Sequence, residues 1–498
     1  MDKRKSILNI TVSMGTKIMT MVMVIVVKRF LIRYCGNEAN GLNALYLSII
    51  GFLSVAELGI GTAITFCMYK PIVEEDHKKI SALYHLFRRM HLVIGGVIFL
   101  GGCAVMPFLP KLAKDYTQTG VNLYMTFFLM MISTLVTYLY GAKTALINAY
   151  RNNYITTAIY SLGTLLQYAL QIGVLVWLRS YPAYLLCRTV AALVQWAVTD
   201  RVARKKYGPI LADKQKLDKQ TRQEVVKNIK AMFLHKLGSL DYATSVILSA
   251  NVGVVVLGSY SNYSTIIQSV RSLVGLLFNS LISSFGHLYA KETKQVTRQY
   301  YELFFLGVYG VGAVCYLGVY AVVDSFISLF FAPELVMGGS VVFFVALSGF
   351  VRYLCDYMNA FRDATGTFYH DRWRTIISTC VKLLLAMILI RPLGVVGMLL
   401  AELLVDLLIA YTVAPWMLYR YAFEGRPWKF YLQSYGGVVG FAGALWVMSQ
   451  LTQHTGSFLR DLLVNGCISV GVSLSLFALM LLFNWKTCAS ARRLLRKK

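Results

Sequence analysis

Apolar runs long enough to cross a membrane recur from Ile7 to Phe483, with only short polar breaks between them. This even spread of hydrophobicity constrains the fold more than any motif. A soluble chain needs polar surface to cover its cores. Here 57% of 498 residues are hydrophobic, 14% are charged and the mean hydropathy is +0.59, so that surface is missing. A bilayer removes the need for it, but offers no water to the backbone, which leaves only helices or a closed barrel. The runs are too long for the alternating ten-residue strands of a barrel, so the expected fold is an all-α polytopic membrane protein. Windows of about 20 residues predict fourteen transmembrane helices, at 7–31, 42–68, 90–109, 121–146, 155–177, 183–202, 228–257, 262–290, 301–323, 339–360, 373–390, 395–416, 431–451 and 462–483.

The formal charge of +26 would suggest nucleic acid in a soluble protein. In a membrane protein it follows from the Lys and Arg of cytoplasmic loops, and no loop interleaves basic and aromatic residues as a nucleic-acid module does. With the N-terminus inside, 34 of the 49 Lys and Arg fall in inner segments and six in outer ones. That asymmetry predicts an even number of spans with both termini cytoplasmic. The basic start Met1–Ser6 runs into a long apolar segment without a cleavage pattern, which reads as an uncleaved first span. The nine cysteines show no CxxC pair and the seven histidines no cluster, so neither a metal nor a cofactor is expected.

One substantial polar interruption, 201–227, separates six spans from eight. The expected organisation is a six-helix bundle at 1–203, a basic cytoplasmic linker at 204–227, a second six-helix bundle at 228–417, and helices thirteen and fourteen with a basic tail at 418–498. A weak internal repeat supports it: Asn9-Ile10 precedes Lys17 as Asn228-Ile229 precedes Lys236, and Gly41 precedes Tyr46 as Gly258 precedes Tyr263. Two related bundles facing each other across a cavity are a common transporter plan. The inner loop 72–90 carries Ile80, Leu83, Leu86 and Phe87 at helical spacing beside Lys78, Lys79, Arg88 and Arg89, and reads as an amphipathic helix on the inner leaflet.

Charges inside spans are costly unless they face water, a partner or the interface. Asn9, Ser13, Lys17 and Thr20 form a polar stripe on the first span, and Ser54, Glu57, Gly61 and Thr65 on the second. On the seventh, Gly238, Asp241, Ser245 and Ser249 align, with Lys236 slightly off the line; on the eighth, Ser264, Gln268, Arg271, Asn279 and Ser283 do. Together these predict a shared aqueous cavity in which Lys17, Lys236 and Arg271 outweigh Glu57 and Asp241, suited to an anion such as pyrophosphate. Arg271 sits mid-span, with a fork that suits phosphate oxygens; the other reading is that it pairs with Asp241 or Glu57 and only joins helices. A second group holds Arg352 with Asp356, Lys382, and Glu402 with Asp406. Each i,i+4 pair shares a helix face. This group reads either as a proton- or sodium-linked switch or as a fixed ion-pair network.

No ATPase motor, HExxH or Ser-His-Asp arrangement is present, and Gly59/Gly61 lacks the following Lys of a phosphate loop. The chain is therefore not expected to be an enzyme, and any pumping must draw on a proton, sodium or membrane-potential gradient.

The strings Gly41-Leu-Asn-Ala-Leu-Tyr46, Val55-Ala-Glu-Leu-Gly-Ile-Gly-Thr-Ala-Ile64 and Tyr69-Lys-Pro-Ile72, with Lys79-Ile80, resemble the second span and following inner loop of polysaccharide-specific transporters. These belong to the multidrug/oligosaccharidyl-lipid/polysaccharide (MOP) exporter superfamily. The resemblance implies a V-shaped fold and a flippase that moves undecaprenyl-pyrophosphate-linked oligosaccharide, the repeat unit of capsule, exopolysaccharide or O antigen, by alternating access. It implies as partners the polyprenyl-pyrophosphate glycolipid, the bilayer, and a polymerase and glycosyltransferases of the same pathway, with no nucleic acid. By the same likeness, spans thirteen and fourteen would form a groove for the lipid tail. A multidrug/cation antiporter of the same superfamily would want an acidic, aromatic-lined cavity. A membrane polysaccharide polymerase would want a large outer loop, and the outer loops here are short. A non-transporting scaffold would not predict the aligned stripes.

Overall fold

The computed structural model describes residues 3–57, 60–116, 121–213, 215, 217, 223, 225, 242–367, 372–452 and 458–485. Among them every long element is a helix. In chain order these are α1 (Lys3–Leu53), a 3-10 turn (Ser54–Glu57), α2 (Ile60–Val73), α3 (His77–Val105), the single turn α4 (Leu109–Leu112), α5 (Leu123–Ala149), α6 (Asn153–Trp177) and α7 (Tyr181–Ala212). Then follow α8 (Tyr242–Val252), α9 (Val254–Lys291), α10 (Lys294–Phe330), α11 (Gly339–Ala364), α12 (Arg372–Val405), α13 (Tyr411–Met417), α14 (Trp428–Leu451) and α15 (Phe458–Phe483). Seven helical stretches are long and apolar enough to cross a membrane, among the described residues. The predicted spans fall mainly on helix, apart from 58–59 of the second and 228–241 of the seventh, which lie outside the described residues.

Side-chain acceptors start several helices where the sequence places them. Asp76 accepts from the Lys79 amide at 2.9 Å, Asn122 from Met125 at 3.1 Å and Thr293 from Val296 at 3.4 Å, each satisfying an amide that has no intrahelical partner. Glycine breaks long helices between spans: Gly36 (φ 81) in α1, and Gly394 (φ 58) in α12 just after Pro392. At the second break the chain folds back closely enough that a Cβ on Gly397 would lie 2.0 Å from the Leu389 carbonyl oxygen.

The chain divides into two compact units, Met1–Gly258 and Ser259–Lys498. In the first, Ile64, Met68, Ile80, Leu83, Phe87, Ile98, Leu146 and Ala203 form one buried core. This corrects the expectation of a surface helix over 72–90. That stretch begins α3, which runs unbroken into the third span, and Ile80, Leu83 and Phe87 pack against α2, α5 and α7 inside the unit. Amphipathic spacing states that one face is apolar; here a protein core covers it.

The same unit brings the two glycines of the expected repeat into reciprocal contacts. A Cβ on Gly41 would lie 2.0 Å from the Val254 carbonyl oxygen, and one on Gly258 would lie 2.5 Å from that of Asn37. The positions exchange roles with the same offset in sequence. Asn37 donates to the Val255 carbonyl at 2.9 Å and Asn40 to the Gly258 carbonyl at 2.8 Å. The small residues thus permit an approach that the amides then lock.

The second unit is held by aromatic side chains. Tyr301, Phe305, Tyr309, Phe350, Tyr353, Tyr357, Phe430 and Phe441 are fully buried and packed together. Their hydroxyls reach carbonyls of neighbouring segments: Tyr357 donates to Tyr301 at 2.6 Å, Tyr309 to Gly437 at 2.9 Å and Tyr353 to Val308 at 3.0 Å. In lipid such bonds must form within the protein. The helix α15 turns Asp461, Asn465, Ser469 and Ser473, four residues apart and all buried, toward α10, while Leu459, Leu463, Leu474 and Leu482 are exposed.

Candidate functional site

The second polar stripe lies where the helix of the second span is interrupted, between α1, the 3-10 turn Ser54–Glu57 and α2. The hydroxyls of Ser54 and Thr65 bond their own helix, to Ile50 at 2.8 Å and to Gly61 at 2.8 Å. Glu57 turns instead to other elements. Tyr138 of α5 donates its hydroxyl hydrogen to Oε2 at 2.7 Å, and Nε2 of His91 on α3 lies 3.8 Å from Oε1. The His91 side chain is 4% exposed and that of Glu57 is 41% exposed, so the carboxylate is backed on one side and open on the other. His91 occupies space that Gly141 leaves, since a Cβ there would sit 2.4 Å from Nε2. Its Nδ1 lies 3.3 Å from the Phe87 carbonyl, which can only accept, so Nδ1 carries a hydrogen.

Sequence reasoning chose Glu57 and missed His91 and Tyr138. The available signal was an ionisable residue inside the third predicted span; a search for clusters along the chain overlooked it because the partners come from three different helices.

Lys17 is half-buried on α1. The side chains of Asn9 and Ser13 lie outside the described residues, as do Lys236 and Asp241 altogether. Nearer the end of α5, Lys143 is paired with Asp200 of α7, which also takes Arg204 at 2.7 Å.

In the second unit, Gln268 is exposed on α9 and the side chain of Asn279 lies outside the described residues. Arg271 of α9 forms a two-pronged pair with Asp356 of α11: Nε donates to Oδ2 at 2.6 Å and an amino group to Oδ1 at 2.8 Å. Arg352, one turn before Asp356 on the same helix face, reaches Asp406 at 3.2 Å. The sequence reading put Arg271 with the cavity group and Arg352/Asp356 in another. In the structure they form one series across α9, α11 and the segment after α12, with opposite charges alternating. Asp406 opens a π-helical segment, Asp406–Ala410, where a widened turn re-aims its side chain. Lys382 is 4% exposed in α12, which also carries Glu402. Arg271 and Arg352 are thus each matched by a carboxylate, Asp356 and Asp406.

No family model matches the sequence, and no curated protein does. Among solved structures the chain is similar to the lipid II flippase MurJ in an inward closed conformation, with a TM-score of 0.66 at 12% identity, covering 95% of this chain and 99% of that one. It is similar to an inward-facing multidrug resistance MATE family transporter of the MOP superfamily, with a TM-score of 0.57 at 11% identity over 82% and 97% of the two chains. A point mutant of the Vibrio cholerae MATE transporter VcmN gives 0.56 at 14% identity over 88% and 100%. At such identities the likeness is one of fold. The chain is a multi-pass membrane protein with the all-helical fold of MOP-type transporters, as its sequence leads one to expect.

Proposed function

We propose that this protein is a flippase of the bacterial cytoplasmic membrane that carries undecaprenyl-pyrophosphate-linked oligosaccharide repeat units from the inner to the outer leaflet by alternating access, without being an enzyme. The observation that carries the reading is fold similarity to the lipid II flippase MurJ across 95% of the chain, which joins the residue-level resemblance of 41–80 to polysaccharide transporters. The candidate for meeting the pyrophosphate in the second unit is Arg271. Arg271 can do so only by exchanging the Asp356 carboxylate for phosphate oxygens, so binding there requires its ion pair to open. Such an exchange trades one two-pronged contact for another of the same geometry.

A second reading has its own observation. Glu57 backed by Tyr138 is an acidic, aromatic corner, and Arg271 is neutralised by Asp356, which suits a cationic drug as cargo. One experiment separates the two. Cells depleted of the protein are assayed for lipid-linked glycan on each face of the membrane, and cells overproducing it for drug accumulation. Glycan trapped on the cytoplasmic side together with lost surface polymer supports the flippase. Unchanged glycan with lowered drug accumulation replaces it with the antiporter. Glycan that reaches the outer face unpolymerised overturns both in favour of a polymerase function.

A further inference from the structure

We propose that Glu57 and His91 form a proton-binding site in the first unit, with Tyr138 as its fixed hydrogen-bond donor. The pair starts from a carboxylate and a neutral imidazole. Glu57 accepts the Tyr138 hydrogen at 2.7 Å, while the His91 Nδ1 hydrogen is spent on the Phe87 carbonyl. Nε2 is left as a base, 3.8 Å from the carboxylate and 4% exposed. One proton taken from water adds to Nε2 and turns the imidazole into an imidazolium that faces the carboxylate. The charge of the pair passes from minus one to zero, and the gap can close to hydrogen-bond distance. A buried imidazolium is unfavourable by itself and becomes favourable only against an anion; Glu57 supplies one, and its open side lets the proton in.

The charges on the flanking elements are engaged elsewhere or exposed. Arg88 of α3 is exposed, Lys70 of α2 pairs with Glu74, and Lys143 of α5 pairs with Asp200 of α7, which also holds Arg204. Lys17 of α1 is half-buried in the same unit. Tyr138 is the titratable group of α5 in contact with the pair, and its hydroxyl stays a donor throughout. Because Glu57 closes a 3-10 turn between two helices while His91 stands on α3, drawing the two together moves the interruption of the second span against the third. Helix interruptions are where transporters bend.

The transport role of this site rests on the function proposed above, but proton binding is read without transport. Histidine ring signals of the purified full chain, in nanodiscs, are followed by nuclear magnetic resonance between about pH 8 and about pH 5; the signal absent from His91→Gln is that of His91. The expected result is an Nδ1–H tautomer at high pH that gives way to imidazolium on acidification. Glu57→Gln should weaken proton uptake at His91 by about tenfold or more, since the facing anion is gone. Tyr138→Phe keeps both titrating groups and should alter uptake less, which serves if Glu57→Gln accumulates poorly. A His91 that stays neutral down to about pH 5, or a midpoint untouched by both variants, overturns the site. Retained titration without any movement of glycan or drug would instead remove the transport reading and leave the proton site standing.

Discussion

At the scale of single residues, partner choice decides what a charge can do. Arg271 looks alike as a phosphate ligand and as a helix tie until its neighbour is known. Its pair with Asp356 leaves the two side chains 26% and 28% exposed, intermediate between a surface and a core ion pair. Arg271→Ala should therefore destabilise the protein by about 1–3 kcal/mol, less than the 3–5 of a fully buried broken pair, read as a lowered thermal midpoint in detergent. Exchanging the two, Arg271→Asp with Asp356→Arg, should restore stability. If transport stays lost in the exchanged protein, the guanidinium has a task at position 271 beyond the pair. If transport returns as well, the pair is only a tie. Buried tyrosines offer a milder case: Tyr357→Phe removes one interhelical bond and should cost about 1 kcal/mol or less, with the ring stack on Tyr301 kept.

At the scale of elements, faces matter more than compositions. The last helix, α15, is apolar over most of its length, yet its buried Asp461, Asn465, Ser469 and Ser473 face α10 while Leu459, Leu463, Leu474 and Leu482 are exposed. Ser473→Leu should lower the thermal midpoint by several degrees, because the Ser473 site is filled and the new side chain must displace α10; Leu474→Ala, on the exposed face, should leave it nearly unchanged. The glycine contact is stricter. Gly41→Val places a carbon against the Val254 backbone, which cannot yield as a side chain would, so the protein should fail to accumulate or melt markedly early. A Gly41→Val protein of ordinary stability would show that this approach relaxes freely. At this scale the sequence was half legible. The equal spacing from Gly41 to Tyr46 and from Gly258 to Tyr263 picks out two tyrosines that are both fully buried, Tyr46 bonded at the start of α5 and Tyr263 to the Met337 amide just before α11. The stretch 80–87 was misread because the spacing of apolar residues is the same whether lipid or α5 and α7 cover them.

At the scale of the whole molecule, the alternation of basic and poorly charged loops predicts topology. Glu75→Cys, in the turn between α2 and α3, should be labelled by an impermeant thiol reagent only from the cytoplasmic side, and Arg179→Cys, between α6 and α7, only from outside; both residues are exposed. Equal labelling of the two from one side would overturn the even alternation of spans. What the sequence determined by itself was everything that follows from solvent: that the chain is helical and that it spans a membrane many times. These depend on hydropathy, which acts within one span. Only tertiary structure decided which charges neutralise one another, that Glu57 meets His91 and Tyr138, and which apolar face meets protein instead of lipid. Those facts depend on neighbours from different helices, brought together by packing that no local spacing encodes.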